Sequence, residues 1–211
     1  MPEALLDAKA RGAAARRDDL RLISDWIPRG ATVLDLGCGD GSLLASLREE
    51  RDVNGYGLEI DQDNIAACFE KGVNVIEQDL DKGLGNFQSE RFDYVIMTQT
   101  LQAVLRPDAI LDEMLRVGRE AIITFPNFGH WRVRAYLGFK GRMPVSSALP
   151  YEWYDTPNIH LCTVKDFQVH CQRNDIRIIE RTVVNRHHRS GALTRAWPNL
   201  FGEIAVYRVT R

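Results

Sequence analysis

VLDLGCGDGSLL, running from Val33 to Leu44, sets Gly37, Gly39 and Gly41 between a short apolar run and leucines spaced for one helix face. Val33 to Leu36 reads as a buried strand, and Leu43, Leu44 and Leu47 as the inner face of the helix that follows. Glycines at such a junction let the chain turn tightly with positive φ and let backbone approach a ligand. The dinucleotide fingerprint G-x-G-x-x-G would seat a pyrophosphate on the helix N-terminus. Here its third glycine is replaced by Ser42, and Asp35 and Asp40 flank the turn. That charge opposes a pyrophosphate, and with it a nicotinamide-dependent oxidoreductase. It suits a ligand carrying an ammonium group and a sulfonium cation.

Outward from the turn, strands alternate with helices. Ile23 and Ile27 follow Leu20 at helical spacing, which predicts a helix over 18–27, stopped by Pro28 and Gly30. Further strands are expected at Val53–Glu59, Val73–Ile76, Phe92–Thr98 and Ala121–Phe125. Phe92–Thr98 is nearly all apolar and so should be covered on both faces. Asp61 can cap a helix with Ile65 and Phe69 inward, and Pro107 suits the first turn of another bearing Ile110, Met114 and Val117. This rhythm implies right-handed crossovers and a parallel, doubly wound sheet. Beyond residue 126 the rhythm breaks. Residues 127–160 form a long, aromatic-rich insertion, and Thr163 with Asp166 forms a capping box before a helix with Val164, Phe167 and Cys171 inward. Two last strands, Ile176–Val184 and Glu203–Val209, are joined by residues without a strong helix pattern, so antiparallel pairing is expected. Residues 18–211 read as one domain, and residues 1–17, rich in Ala and Arg, as a frayed or poorly ordered extension.

Two acids fall where a nucleoside needs them. Glu59 ends the second strand, 20 residues after Gly39, where a carboxylate can accept from both ribose hydroxyls. Asp79 follows the third strand, where it can accept from an exocyclic adenine amine. The amide of Leu80 can donate to a ring nitrogen, and Ile60 can cover the base. Ligands of doubly wound sheets bind at the carboxyl ends of strands, where all of these lie.

Composition narrows the class. The chain has 211 residues, 45% apolar and 27% charged, with no apolar run long enough to cross a bilayer. The N-terminal stretch lacks the apolar core of a secretion signal. Cys38, Cys68, Cys162 and Cys171 are scattered and have no metal-ligand spacing, so a zinc site is not expected and reduced thiols in the cytoplasm are. The net charge of −2 is uneven: residues 33–126 hold 8 Lys/Arg against 18 Asp/Glu, and residues 127–211 hold 13 against 6. The basic part is either a solvated face or a surface for an acidic partner or anionic substrate. Neither a membrane nor a nucleic acid is an expected partner.

The region after the fourth strand carries Thr98-Gln99-Thr100, without the Asn/Asp-Pro-Pro-aromatic signature of many amine methylators and without a Pro-Cys nucleophile. His130, in FPNFGHWRVR after the fifth strand, is a candidate base, although a lone histidine there is more often structural. The aromatics of 126–160 are interleaved with Arg132, Arg134, Lys140 and Arg142. They either pack into the sheet edge or form a lid or docking surface.

The glycine turn with Glu59 and Asp79 resembles the class I S-adenosylmethionine-dependent methyltransferase family over residues 20–126. That resemblance implies a Rossmann-like, mostly parallel seven-stranded sheet with an antiparallel C-terminal strand. It implies that Asp35, Gly37, Cys38 and Gly39 contact the methionyl end of the ligand, that Glu59 binds ribose, that Asp79 and Leu80 bind adenine, and that Gln99 lies near the methionine moiety. The strings YGLEID, QDLDKGL, FDYVIMTQTLQAV, ITFPNFGHWRVR and YEWYDTPNIHLCT, with the glycine turn, resemble the bacterial MetW family of methionine biosynthesis proteins from Leu20 onward. This implies a protein that holds S-adenosylmethionine or S-adenosylhomocysteine and acts with the homoserine O-acyltransferase MetX. The alternative is a methyltransferase acting on a small molecule.

Overall fold

The computed structural model describes residues 22–146, 148–184 and 191–211. The expected extension 1–17 and the start of the helix expected over 18–27 lie outside the described residues.

Helix α2 (Ser42–Arg51) joins β1 (Thr32–Leu36) to β2 (Asn54–Glu59), α3 (Gln62–Glu70) joins β2 to β3 (Asn74–Glu77), and α4 (Pro107–Val117) joins β4 (Phe92–Thr98) to β5 (Gly118–Pro126), while the β3-to-β4 connection carries only a 3-10 turn and β1 is preceded by α1, described over residues 22–26. With β6 (Arg177–Val184) and β7 (Ile204–Thr210) these strands form one sheet in the order β3-β2-β1-β4-β5-β7-β6. Pairing is parallel from β3 through β5, and β7 runs antiparallel to both neighbours. The expected fold class is the one observed.

Alternation along β4 shows why its apolar run is nearly continuous. Val95 and Met97 enter one core with Leu34, Leu36 and Ile123, while Tyr94 and Ile96 enter the other with Val33 and Ile122. Helix α4 and helix α6 (Val164–Arg173) close the first core through Met114 and Phe167. Ile23, α2 through Leu44 and Leu47, and α3 through Cys68 close the second. Both faces of the central strands are therefore dry, as a parallel sheet requires.

Local signals hold at most helix ends. The Asp61 side chain accepts from the Asn64 amide at 3.0 Å, Pro107 opens α4, and Thr163 and Asp166 complete the capping box of α6. One inner-face assignment is corrected: in α3 the buried residues are Ile65 and Cys68, and Phe69 is exposed. The small thiol takes the place that the aromatic ring was expected to fill.

The region past β5 differs most from expectation. Helix α5 (Trp131–Lys140) stands inside the insertion, and α7 (Ala192–Ala196) and α8 (Pro198–Phe201) lie between β6 and β7. β7 is fixed by Tyr207, which is fully buried, stacked on Phe125 at 5.9 Å and tilted against Phe167 at 4.7 Å, with its hydroxyl accepting from Gln168 Nε2. Asn127, also buried, ties this half together. Its Nδ2 donates to the carbonyls of Asn199 and Gly202, its Oδ1 accepts from the amides of Gly129 and Val164, and its own amide donates to the Glu203 carbonyl. Asn127→Ala is expected to lower unfolding stability by about 2–4 kcal/mol, since it strands several buried polar groups at once. Chemical denaturation checks this, and a change under 1 kcal/mol would show that the clasp is dispensable.

Candidate functional site

The strand order reverses between β1 and β4, because β1 leads outward to β2 and β3 while β4 leads outward to β5. At such a switch point neighbouring connections leave on opposite faces, opening a crevice at the carboxyl ends of the strands. The glycine turn lies at that place.

The turn is shaped by hydrogen bonds from the β2 end. The amides of Gly37 and Cys38 both donate to the Leu58 carbonyl, at 2.8 and 3.0 Å. The Gly39 amide donates to Glu59 Oε2 at 2.8 Å, and the amides of Ile60 and Asp61 donate to Glu59 Oε1 at 2.8 and 3.0 Å. One buried carboxylate thus joins the turns after β1 and β2. Gly37 has φ 71°, and a Cβ there would stand 2.8 Å from Thr100 Oγ1, so the turn is pressed against the end of β4. Gly39 has φ 55°, but a Cβ there would meet nothing within 4 Å. At Gly39 the conformation demands glycine while the space beside it is open, the shape of a backbone cradle.

The charges of the turn are not equivalent. Asp40 is paired outward: Lys71 Nζ lies 2.6 Å from its Oδ2 and also donates to its carbonyl. Burial pushes the Asp40 carboxyl up, but the bonds from Lys71 and Ser42 outweigh this and hold it below its ordinary range. Asp35 is the reverse case. It is 1% exposed, and neither carboxylate oxygen has a hydrogen-bond partner among the described residues. Burial, and then the neighbouring Glu59 carboxylate, push its pKa up to about 7. Such a group is costly when ionised unless a cation compensates it. The acidity read from the sequence therefore narrows to Asp35 and Glu59.

The other expected residues fall as follows. Ile60 is exposed directly after Glu59. Asp79, partly buried, caps a 3-10 turn at Leu80–Lys82 through Oδ1, which accepts from the Asp81 amide at 3.0 Å. Leu80 is partly buried against the first core. Gln99 is exposed at the end of β4 with φ 52°, its amide donating to the carbonyl and Oγ1 of Thr124. A non-glycine residue held in the left-handed region at a strand end is the kind of local strain that clusters at functional sites. Cys38 lies with Cys68 behind the turn, sulfur to sulfur 3.9 Å, and burial raises both thiols, so neither is a ready nucleophile.

His130 belongs to a different neighbourhood. Its ring is buried, its Nδ1 accepts from the Arg132 amide at 3.4 Å as the N-cap of α5, and its Nε2 lies 4.0 Å from Glu203. Burial, then Arg132, push its pKa down to about 4, so the imidazole is neutral at neutral pH and the contact with Glu203 is not an ion pair. Among the described residues no group of three His, Cys, Asp or Glu side chains could hold a metal ion, and no helix is long and apolar enough to cross a membrane.

This strand order, with β7 alone reversed and a glycine turn after β1, defines the class I methyltransferase fold. Solved structures agree. A S-adenosylmethionine-dependent methyltransferase from Archaeoglobus fulgidus superposes with a TM-score of 0.66 at 16% identity, covering 95% of this chain and 94% of that one. Magnesium protoporphyrin IX methyltransferase from Synechocystis PCC 6803, solved with bound S-adenosylhomocysteine, gives 0.65 at 18% identity, covering 100% of this chain and 88% of the other. At such identities the likeness is one of fold.

Within that class the chain belongs to the MetW family: the model of methionine biosynthesis protein MetW matches residues 17–209. A bifunctional methionine biosynthesis protein MetXA/MetW from Rhodopirellula baltica is 42% identical over 157 residues, which is 70% of this chain and 25% of the relative. The chain therefore spans about a quarter of the length of the curated relative it matches.

The Asp35 carboxyl links the site to stability. In the unfolded chain it ionises near 3.8, and in the folded protein near 7. Between these values the unfolded chain has released a proton that the folded protein keeps, so folding stability falls as pH rises from about 4 to about 7 and stays lower above. Asp35→Asn removes this penalty. The variant is expected to gain up to about 4 kcal/mol over the parent at pH 8 and little at pH 4.5. Denaturation at both pH values checks it, and an equal difference at the two would contradict the assignment.

Proposed function

We propose that this protein binds S-adenosylmethionine or S-adenosylhomocysteine at the ends of β1, β2 and β3 and works with a homoserine O-acyltransferase in methionine biosynthesis. The observation that carries the ligand half is Asp35: a buried carboxylate two residues before the glycine turn, with no hydrogen-bond partner among the described residues, answers to a cation. Both ligands bring an α-ammonium group, and S-adenosylmethionine adds a sulfonium. In this reading Asp35, Gly37, Cys38 and Gly39 line the methionyl end, with Gln99 across from them. The Glu59 carboxylate, already oriented by three amides, takes the ribose hydroxyls. Asp79 and the Leu80 amide take adenine, and the exposed Ile60 side chain covers the base. The acyltransferase half is supported by the Rhodopirellula relative, whose name joins MetXA and MetW in one chain. The reading puts the protein in the cytoplasm, where its four free thiols persist.

A second reading, methyl transfer to a small molecule, is favoured by Gln99, exposed and strained beside the methionyl end. Such transfer needs chiefly positioning and exclusion of water, because the sulfonium already activates the methyl group.

Calorimetry with S-adenosylhomocysteine is expected to show binding that Asp79→Ala weakens by about 1–3 kcal/mol, the scale for one lost polar partner. Addition of the protein to the acyltransferase is expected to raise the rate of homoserine acylation, and an unchanged rate at saturating protein would defeat the first reading. Incubation with methyl-labelled S-adenosylmethionine and cell extract separates the two readings. The first expects no labelled product, and a labelled product that Gln99→Ala abolishes would establish the second.

A further inference from the structure

Helix α5 is an anomaly of packing. Of its ten residues only Val133 is buried. Helices in proteins owe most of their stability to burying one face, and α5 buries almost nothing of its own chain. Yet it is not polar: Trp131, Tyr136, Leu137 and Phe139 are 44%, 41%, 40% and 90% exposed. The chain beyond it continues the pattern, with Met143, Tyr151, Trp153 and Tyr154 exposed at 41%, 42%, 73% and 71%. Large exposed side chains concentrated on one segment mark an interaction site.

The segment is nevertheless anchored. Arg134 Nε donates to the Gly129 carbonyl at 2.6 Å, and the amides of Ile159 and His160 both donate to the Gln102 carbonyl at 2.9 and 3.0 Å. Gln102 in turn donates through Nε2 to the Pro126 carbonyl. Both ends of the segment are thus tied to the carboxyl ends of β4 and β5, the edge of the sheet that also carries the glycine turn. Trp153 and Tyr154 hold each other edge to face at 5.7 Å, and Arg132 lies over the Trp131 ring at 5.4 Å. Aromatics braced in this way, next to arginines, are the side chains that carry binding energy at protein interfaces.

Charge selects among occupants. From Trp131 to Tyr154 the chain holds four basic residues, Arg132, Arg134, Lys140 and Arg142, against one acid, Glu152. A second copy docked face to face about a two-fold axis would set these like charges against one another. A lipid surface would need basic and apolar side chains on separate faces of the helix, whereas here they are mixed around it. What remains is a protein partner with an apolar centre and an acidic rim. We propose that α5 and the aromatic run 151–154 form the docking surface for the homoserine O-acyltransferase. The proposal rests on the reading of the protein as that enzyme's partner and adds the face through which they meet.

The test uses the full chain, the acyltransferase of the same organism, and three variants. Phe139→Asp and Trp153→Asp each place a charge in the proposed face, and Phe69→Asp places one on α3 beside the distant β3 edge. Thermal melting and S-adenosylhomocysteine binding establish that each variant is folded. The parent chain is expected to form a complex by sedimentation and calorimetry. Phe139→Asp and Trp153→Asp are expected to weaken it at least tenfold, and Phe69→Asp to leave it within twofold. A complex untouched by the first two variants overturns the surface and leaves the functional reading standing. No complex with the parent chain overturns the functional reading, and the surface with it. Self-association, or binding to anionic phosphatidylserine vesicles, that those two variants abolish while the acyltransferase complex persists also overturns the proposal.

Discussion

The Glu59 carboxylate is the fixed point of this molecule. By accepting from the Gly39, Ile60 and Asp61 amides it makes one rigid edge of two turns that belong to neighbouring strands. Charge-assisted bonds of this kind are roughly twice as strong as neutral ones, and all three converge on one buried carboxylate. The Leu58 carbonyl reinforces the arrangement by taking the Gly37 and Cys38 amides. The glycine turn is therefore not free to relax, and its open side stays open. Everything inferred about a ligand depends on that preorganisation, because a collapsing turn would spend binding energy on reopening.

Against this rigid edge, Asp35 reads as a cost retained. Its neighbours on β1, Leu34 and Leu36, pack fully into the first core, and an apolar residue at position 35 would stabilise the sheet more simply. A buried carboxyl with no partner among the described residues is the reverse of what folding alone favours. The same physics that raises its pKa gives it a strong preference for a cation, so one residue carries both the local destabilisation and the chemical selectivity. Asp40, five residues on in sequence, carries none of this because Lys71 pairs with it.

The legible and illegible parts of the sequence divide along a physical line. Strands β1 to β5 and helices α2, α3 and α4 could be read because their apolar residues repeat with the period of the element and the helix starts carry Asp61, Pro107 and a glycine turn. The reversal of β7 could be read because the residues before it show no strong helix pattern to serve as a crossover, and the two helices that stand there, α7 and α8, are only five and four residues long. Site geometry was legible as position, since Glu59 and Asp79 fall at strand ends, but not as state. Nothing in the one-dimensional pattern distinguishes an Asp paired to Lys71 from an Asp that no described residue partners. The misassigned inner face of α3 has the same origin: Cys68 is a small buried hydrophobe that sequence periodicity counts weakly beside Phe69.

Helix α5 escaped for a different reason, and that reason bears on what it does. Amphipathic periodicity detects a helix by the core it faces. WRVRAYLGFK has apolar and basic residues on all sides because it faces scarcely any core in its own chain. A helix that its own domain does not explain is held at its N-terminus by His130 and its flanking bonds, a neutral imidazole used as a cap. The histidine that looked like a candidate base from sequence thus sits at the root of the most exposed aromatic segment of the molecule. The two features are one construction: a buried, uncharged cap and the Asn127 clasp hold the base of α5 rigid, so that its surface is presented at the same sheet edge as the glycine turn. A rigid mount under an unburied apolar surface costs little ordering on association, which is what separates a docking element from a loose loop.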